Sequence, residues 1–187
     1  HTDRPQGRLA DVWLHPKLWR LDLGVFVLHA VQMAMWVAVP GLLVQAGLPA
    51  ALHWQVYLPA VLLSFTLMGG LFALERRGHL QRVLRAAVAL LFGVQLAFAG
   101  LAGQGAPVWA IAAVLFLFFT SFNVLEASQP SLISRLAPPQ ARGAALGIYN
   151  TAQSLGLFAG GVLGGWLVKQ LGPVGLFAAT AGLVALW

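Results

Sequence analysis

Residues 21–46 form an apolar run whose only ionisable side chains are Asp22 and His29. As a helix this stretch is about 39 Å long, enough to cross a hydrocarbon core of roughly 30 Å with some tilt. Comparable runs occupy residues 54–74, 83–102, 107–127 and 143–168, and another begins at 174. Charged residues make up only 9 % of the 187 positions, where a soluble domain carries about 25 %, and mean hydropathy is +0.81. The fold class expected is therefore an all-α membrane protein, a six-helix transmembrane bundle (residues 21–187) behind a juxtamembrane segment (1–20). The last run, 174–187, covers roughly 21 Å as a helix, so the sixth helix is expected to be truncated. With no initiator Met at position 1, the chain reads as a piece of a longer protein.

Charge placement sets an expected topology. Trp13 and Trp19 sit among Arg4, Arg8, Lys17 and Arg20, which suits a headgroup-level segment. The turn at 75–82, Arg85 at the start of the third run and the Pro-bearing loop at 128–142 carry the other basic groups except Lys169. Ten of the 11 Lys and Arg thus fall on one side, which the positive-inside rule makes cytoplasmic. A pI near 11.2 invites a nucleic-acid reading, but charges scattered around span ends do not form a nucleic-acid surface. With no cysteine, disulfides, Cys-based metal sites and thiol nucleophiles are excluded.

Polar groups inside apolar runs cost free energy and invite a functional reading. His29 lies about 12 Å into the first run, with Gln32, Met33 and Trp36 on its face. An imidazole titrates near neutral pH, which makes His29 the proton-coupling candidate; a neutral histidine bonded to another helix is the alternative. In the fourth run Phe116, Phe119, Thr120 and Asn123 share one face at helical spacing, suited to an amphipathic solute or to bundle packing. Tyr149 and Gln153 make one stripe of the fifth run, Asn150 and Ser154 the next. These stripes face either a neighbouring helix or a solute cavity. Glu126 is expected near the end of its helix, pairing with Arg76, Arg135 or Arg142, and Asp22 beside Arg20; Glu75 and Arg76 are further ion-pair candidates. Gly156, Gly160, Gly161, Gly164 and Gly165 hold GxxxG spacings that let helix backbones meet, as a static seam or a face along which a neighbour rocks. No nucleophile elbow, zincin pair, P-loop or dinucleotide fingerprint occurs. No catalytic residue, metal or cofactor is expected, and the chain reads as a non-enzyme.

Several pieces carry a resemblance. They are Leu28-His29 with Val39-Pro40, the run His53-Trp54-Gln55-Val56-Tyr57-Leu58, and Phe122-Asn123-Val124-Leu125-Glu126-Ala127 followed by Pro130-Ser131-Leu132-Ile133-Ser134. Gly147-Ile148-Tyr149, Gln153, Gly160-Gly161 and Gly164-Gly165-Trp166 follow. With these the chain resembles the C-terminal half, spans seven to twelve, of a major facilitator superfamily transporter, and more narrowly the YajR-type drug:proton antiporters. The turn Glu75-Arg76-Arg77-Gly78 resembles a degenerate copy of the family's Asp-Arg-x-Gly loop, with Glu for Asp and His79-Leu80 where a basic pair would follow.

The resemblance implies proton-coupled efflux of small molecules by alternating access in a bacterial inner membrane. The expected partners are the lipid bilayer, an N-terminal half of the same chain, a small-molecule substrate and protons, and no nucleic acid. YajR-type proteins also carry a small soluble C-terminal domain that this sequence does not reach. A non-transporting assembly partner using the glycine faces is the alternative, with an intramembrane enzyme on Ser154 and His29 behind it.

Overall fold

The computed structural model describes residues 9–187, the side chain of Asp11 apart, and is helical almost throughout. The expected juxtamembrane segment therefore lies partly outside the described residues, with Arg4 and Arg8 among those not described. The helices are α1 (Leu9–Trp13), α2 (Pro16–Gln45), α3 (Trp54–Leu74), α4 (Leu80–Gln104), α5 (Val108–Leu136) and α6 (Arg142–Leu186). Pro16 opens α2 in the first turn, where its missing N–H removes no bond.

By length and composition, four helical stretches suffice to cross a bilayer: Pro16–Gln45, Ala50–Gln104, Val108–Leu136 and Pro139–Leu186. Six separate spans were expected, and the difference has a local cause. Residues 75–79 join α3 to α4 through a kink at Gly78 (φ 87°) with no extended loop between the two helices. The break expected between the runs 143–168 and 174–187 falls at a kink within α6, where Gly172 takes φ 70°, a conformation open to glycine and strained for other residues. The loop expected at 128–142 is mostly helix as well. Pro130 sits inside α5, because a proline deprives a helix of one hydrogen bond and bends it without having to end it. The chain leaves the helix at Ala137, just before Pro138-Pro139.

Helix α2 packs along α6 and crosses α5, while α5 lies against both α3 and α4 and α4 also meets α6. One large core runs through these contacts, with Leu28, Met35, Leu91, Leu115 and Phe118 fully buried and Phe98 stacked on Phe177 at 5.1 Å. A smaller cluster around Leu18, Ile133 and Tyr149 ties the first turns of α2 to the end of α5 and the start of α6. The outer faces keep Leu62, Leu63, Phe158 and Leu163 exposed, as a lipid-facing surface should.

The closest helix contact is the α2–α6 seam. A Cβ added to Gly156, Gly160 or Gly164 would stand 3.1, 2.7 or 3.0 Å from the Cα of Phe26, Ala30 or Ala34. Both partners thus present positions four apart. Gly161 meets only the Met33 side chain, at 3.7 Å, and Gly165 has open space beside it.

A buried amide also crosses the bundle. Gln95, wholly buried, donates to Met35 Sδ at 3.1 Å and accepts from Thr180 Oγ1 at 2.7 Å, joining α4 to α2 and α6. Gln95→Leu is expected to lower unfolding stability by about 0.6–1.7 kcal/mol, the range for interhelical hydrogen bonds in membrane proteins. Thermal unfolding in detergent measures it; an unchanged midpoint would show the network to be energetically idle.

Candidate functional site

His29 is 2 % exposed, on the face of α2 that meets α5. Its Nδ1 lies 3.0 Å from the carbonyl oxygen of Val25 one turn earlier. A carbonyl only accepts, so Nδ1 carries a proton and, in the neutral ring, Nε2 presents its lone pair. Glu126 Oε1 lies 3.6 Å from Nε2, which is buried without a hydrogen bond. Two acceptors face each other in a site with room for one proton between them. Phe122 closes the ring's flank edge-on at 5.5 Å, and the Glu126 side chain remains 45 % exposed.

Farther along, the same two helices build an aromatic wall. Trp36 meets Tyr57 of α3 at 5.1 Å and Phe119 of α5 at 6.1 Å, so α2 and α5 run antiparallel. Thr120 is buried and returns its hydroxyl to the Phe116 carbonyl at 2.9 Å. Half-buried Asn123 donates to Ser64 Oγ at 3.2 Å. Tyr149 is 2 % exposed and donates to Gln129 Oε1 at 3.3 Å. Gln32, Phe116 and Gln153 are half-buried.

Of the expected site residues, the structure pairs His29 with Glu126 and, two turns farther along the same helices, Trp36 with Phe119. Tyr149 stands on the α6 side, bonded to the end of α5. Asn150 and Ser154 are exposed, and Ser154 is bonded to the Asn150 carbonyl, so that stripe faces outward. The ion pairs expected for the carboxylates are not found among the described residues. Glu126 faces His29 instead of an arginine, because α5 continues ten residues beyond it, about 15 Å, and leaves it far from the turn. Arg76 and Arg142 are exposed, and Glu75 accepts from Ser128 Oγ at 3.5 Å. Asp22 Oδ1 has no partner where Arg20 was expected.

Gln95, Ser64 and Gln129 were not anticipated. Gln95 and Ser64 are lone polar groups inside apolar runs, a signal present in the sequence, whereas Gln129 fell in the segment expected to be loop. Tyr57 Oη is buried without a partner. Removing it is therefore expected to cost nothing: Tyr57→Phe should keep the thermal midpoint or raise it by the equivalent of up to about 1 kcal/mol. A clear loss of stability would reveal a partner for the hydroxyl.

No protein-family model matches the chain. It is 36 % identical over 183 residues to the inner membrane transport protein YajR of Escherichia coli (strain K12), covering 97 % of this chain and 40 % of that protein. It is 32 % identical over 148 residues to the uncharacterized transporter BU466 of Buchnera aphidicola, covering 79 % of this chain and 37 % of that one. The chain thus spans about two fifths of the curated relatives it matches. With four helical stretches able to cross a membrane, this chain is a multi-pass protein of a bacterial inner membrane, homologous to the YajR-type membrane transport proteins.

Proposed function

We propose that the chain is the C-terminal half of a major facilitator superfamily carrier that exchanges protons for a small lipophilic or cationic solute, working by alternating access against an N-terminal half of the same protein. In this reading the 55- and 48-residue stretches each cross the bilayer twice. As single helices they would be about 82 and 72 Å long, far more than a bilayer accepts, and each contains a left-handed glycine. The six spans keep the Arg-rich turns on the cytoplasmic side.

One observation carries the proton assignment: the unbonded His29 Nε2 facing the Glu126 carboxylate at 3.6 Å. A proton arriving there yields an imidazolium–carboxylate pair of zero net charge. Its departure leaves one negative charge beside apolar walls, which is costly and which a cationic solute would neutralise. Proton and cation then compete for one charge, the requirement for exchange. Trp36, Phe119 and Tyr57 pack together two turns farther along, and aromatic faces attract cations.

The test is pH-gradient-driven efflux by the intact protein in liposomes. Wild-type protein should move solute only with a gradient. His29→Gln, which cannot titrate, should lower gradient-driven flux at least tenfold while solute binding persists. Flux that is insensitive to His29→Gln removes the proton assignment; no flux of any solute favours the assembly-partner reading, in which the glycine faces serve association.

A further inference from the structure

One turn before Glu126 on α5 stands Asn123, whose side chain is locked from α3. Ser64 of α3 is wholly buried and gives its one hydroxyl proton to the Val61 carbonyl at 2.6 Å. Its oxygen can then only accept, and it accepts from Asn123 Nδ2 at 3.2 Å. A primary amide carries its two donors on the nitrogen and its acceptor on the oxygen. The bond to Ser64 therefore fixes which end of Asn123 faces α3 and turns Oδ1 the other way. Asn123 is half-buried, and its Oδ1 is not shut off from solvent. Glu126, three residues on, shares that face of the helix and keeps 45 % of its side chain exposed.

We infer that this face of α5 selects cations that carry N–H groups, such as primary and secondary ammonium, amidinium and guanidinium ions, over quaternary ammonium ions. Asn123 is the specificity-determining residue, and Ser64 is the positioning residue that turns its oxygen outward. The inference rests on the reading of the chain as a carrier of cations and narrows it. Glu126 alone attracts any cation, so it cannot tell an ammonium ion from its methylated form. A second acceptor can. Two oxygens bonded to one ammonium nitrogen stand roughly 5 Å apart, given N–H···O lengths of about 2.9 Å at tetrahedral angles. Side chains three apart on a helix have Cβ atoms about 5–6 Å apart, so one nitrogen can reach both residues. Hydrogen bonds from a charged donor are about twice as strong as neutral ones. A quaternary ion brings methyl groups to both oxygens, displacing water without replacing its hydrogen bonds. His29 leaves the place open, because its ring meets Glu126 from α2 whereas Asn123 is held from α3.

The probes are benzylammonium and benzyltrimethylammonium, which share a ring and a charge at neutral pH and differ in N–H groups. Equilibrium dialysis against the intact protein in lipid nanodiscs, corrected for protein-free discs, gives their dissociation constants. Wild-type protein should bind benzylammonium at least about tenfold more tightly, since a site arranged to hydrogen-bond a group disfavours analogues lacking it. Asn123→Leu should bring the ratio of the two constants close to unity. Ser64→Ala, which frees the amide to turn, should reduce the ratio about threefold, and Ser64→Thr, which keeps the hydroxyl, should hold it. Loosening of the structure weakens both ligands alike and leaves the ratio unmoved, and Ser64→Ala keeps the test decisive if Asn123→Leu misfolds. Equal affinities in wild-type protein, or a wild-type ratio in Asn123→Leu, would overturn the inference; the cation reading survives either result if Glu126→Gln weakens both probes. Binding of neither probe would overturn the two together.

Discussion

Gly160→Val is expected to destabilise the folded protein by about 3 kcal/mol or more, the largest effect of any single substitution on the α2–α6 seam. Even one added Cβ would stand 2.7 Å from the Cα of Ala30. The neighbour is backbone, so it cannot rotate away, and separating the helices would also open the contacts of Gly156 and Gly164 with Phe26 and Ala34. Overpacking a well-filled interior costs typically 1–3 kcal/mol and sometimes more, and rigid backbone on the other side puts this site at the upper end. The opposing gain from replacing glycine inside a helix is under about 1 kcal/mol, too small to win. Gly100 of α4 supplies the contrast: it is exposed, and an added Cβ would meet nothing within 4 Å, so Gly100→Ala should raise stability by about 0.5–1 kcal/mol. Thermal unfolding in detergent separates the two. Equal effects would mean that the seam is looser than the Cα positions indicate.

Glu126→Gln should leave the fold intact and flatten the pH dependence of transport. The side chain is 45 % exposed and makes one contact, 3.6 Å long, with a histidine; surface-like changes of this kind cost within about 0.5 kcal/mol. Function should respond far more. Without the carboxylate, the neutral His29 ring faces an amide that can donate to Nε2, and the site reaches zero net charge with no proton bound. Solute movement should then proceed without a pH gradient, or stall if a cationic solute needs the negative charge. In either case the ratio of flux with a gradient to flux without one falls at least tenfold toward unity. The measurement is initial efflux from liposomes at several inside and outside pH values. A wild-type ratio in Glu126→Gln would remove this carboxylate from coupling, whatever becomes of His29. Its double variant with His29→Gln should add nothing further, because two groups that hold one proton act as a unit.

Membrane residence and helical class were legible in the chain itself, because hydropathy sums along the sequence and needs no partner. A run such as 21–46 declares its solvent whatever it packs against. The glycine seam was half legible: spacing alone named five glycines, and three-dimensional packing set Gly156, Gly160 and Gly164 against α2 while leaving Gly165 beside open space. Helix ends were the weaker part. The Pro-bearing stretch from 128 was expected to be loop, yet Pro130 only deletes one bond, and packing of α5 against its neighbours carries the helix on to Leu136. That continuation decides the site. It holds the half-exposed Glu126 opposite His29, where a position at the helix end would have given it to an arginine, and it turns Gln129 inward to meet Tyr149. The pairing of Gln95 with Thr180 across 85 residues was likewise beyond local pattern, since which polar groups meet depends on the register of one helix against another. Residue types and spacing told which groups must find partners in an apolar interior; only the crossing of α2, α5 and α6 chose those partners, because contact is a property of distance between helices and not of order along the chain.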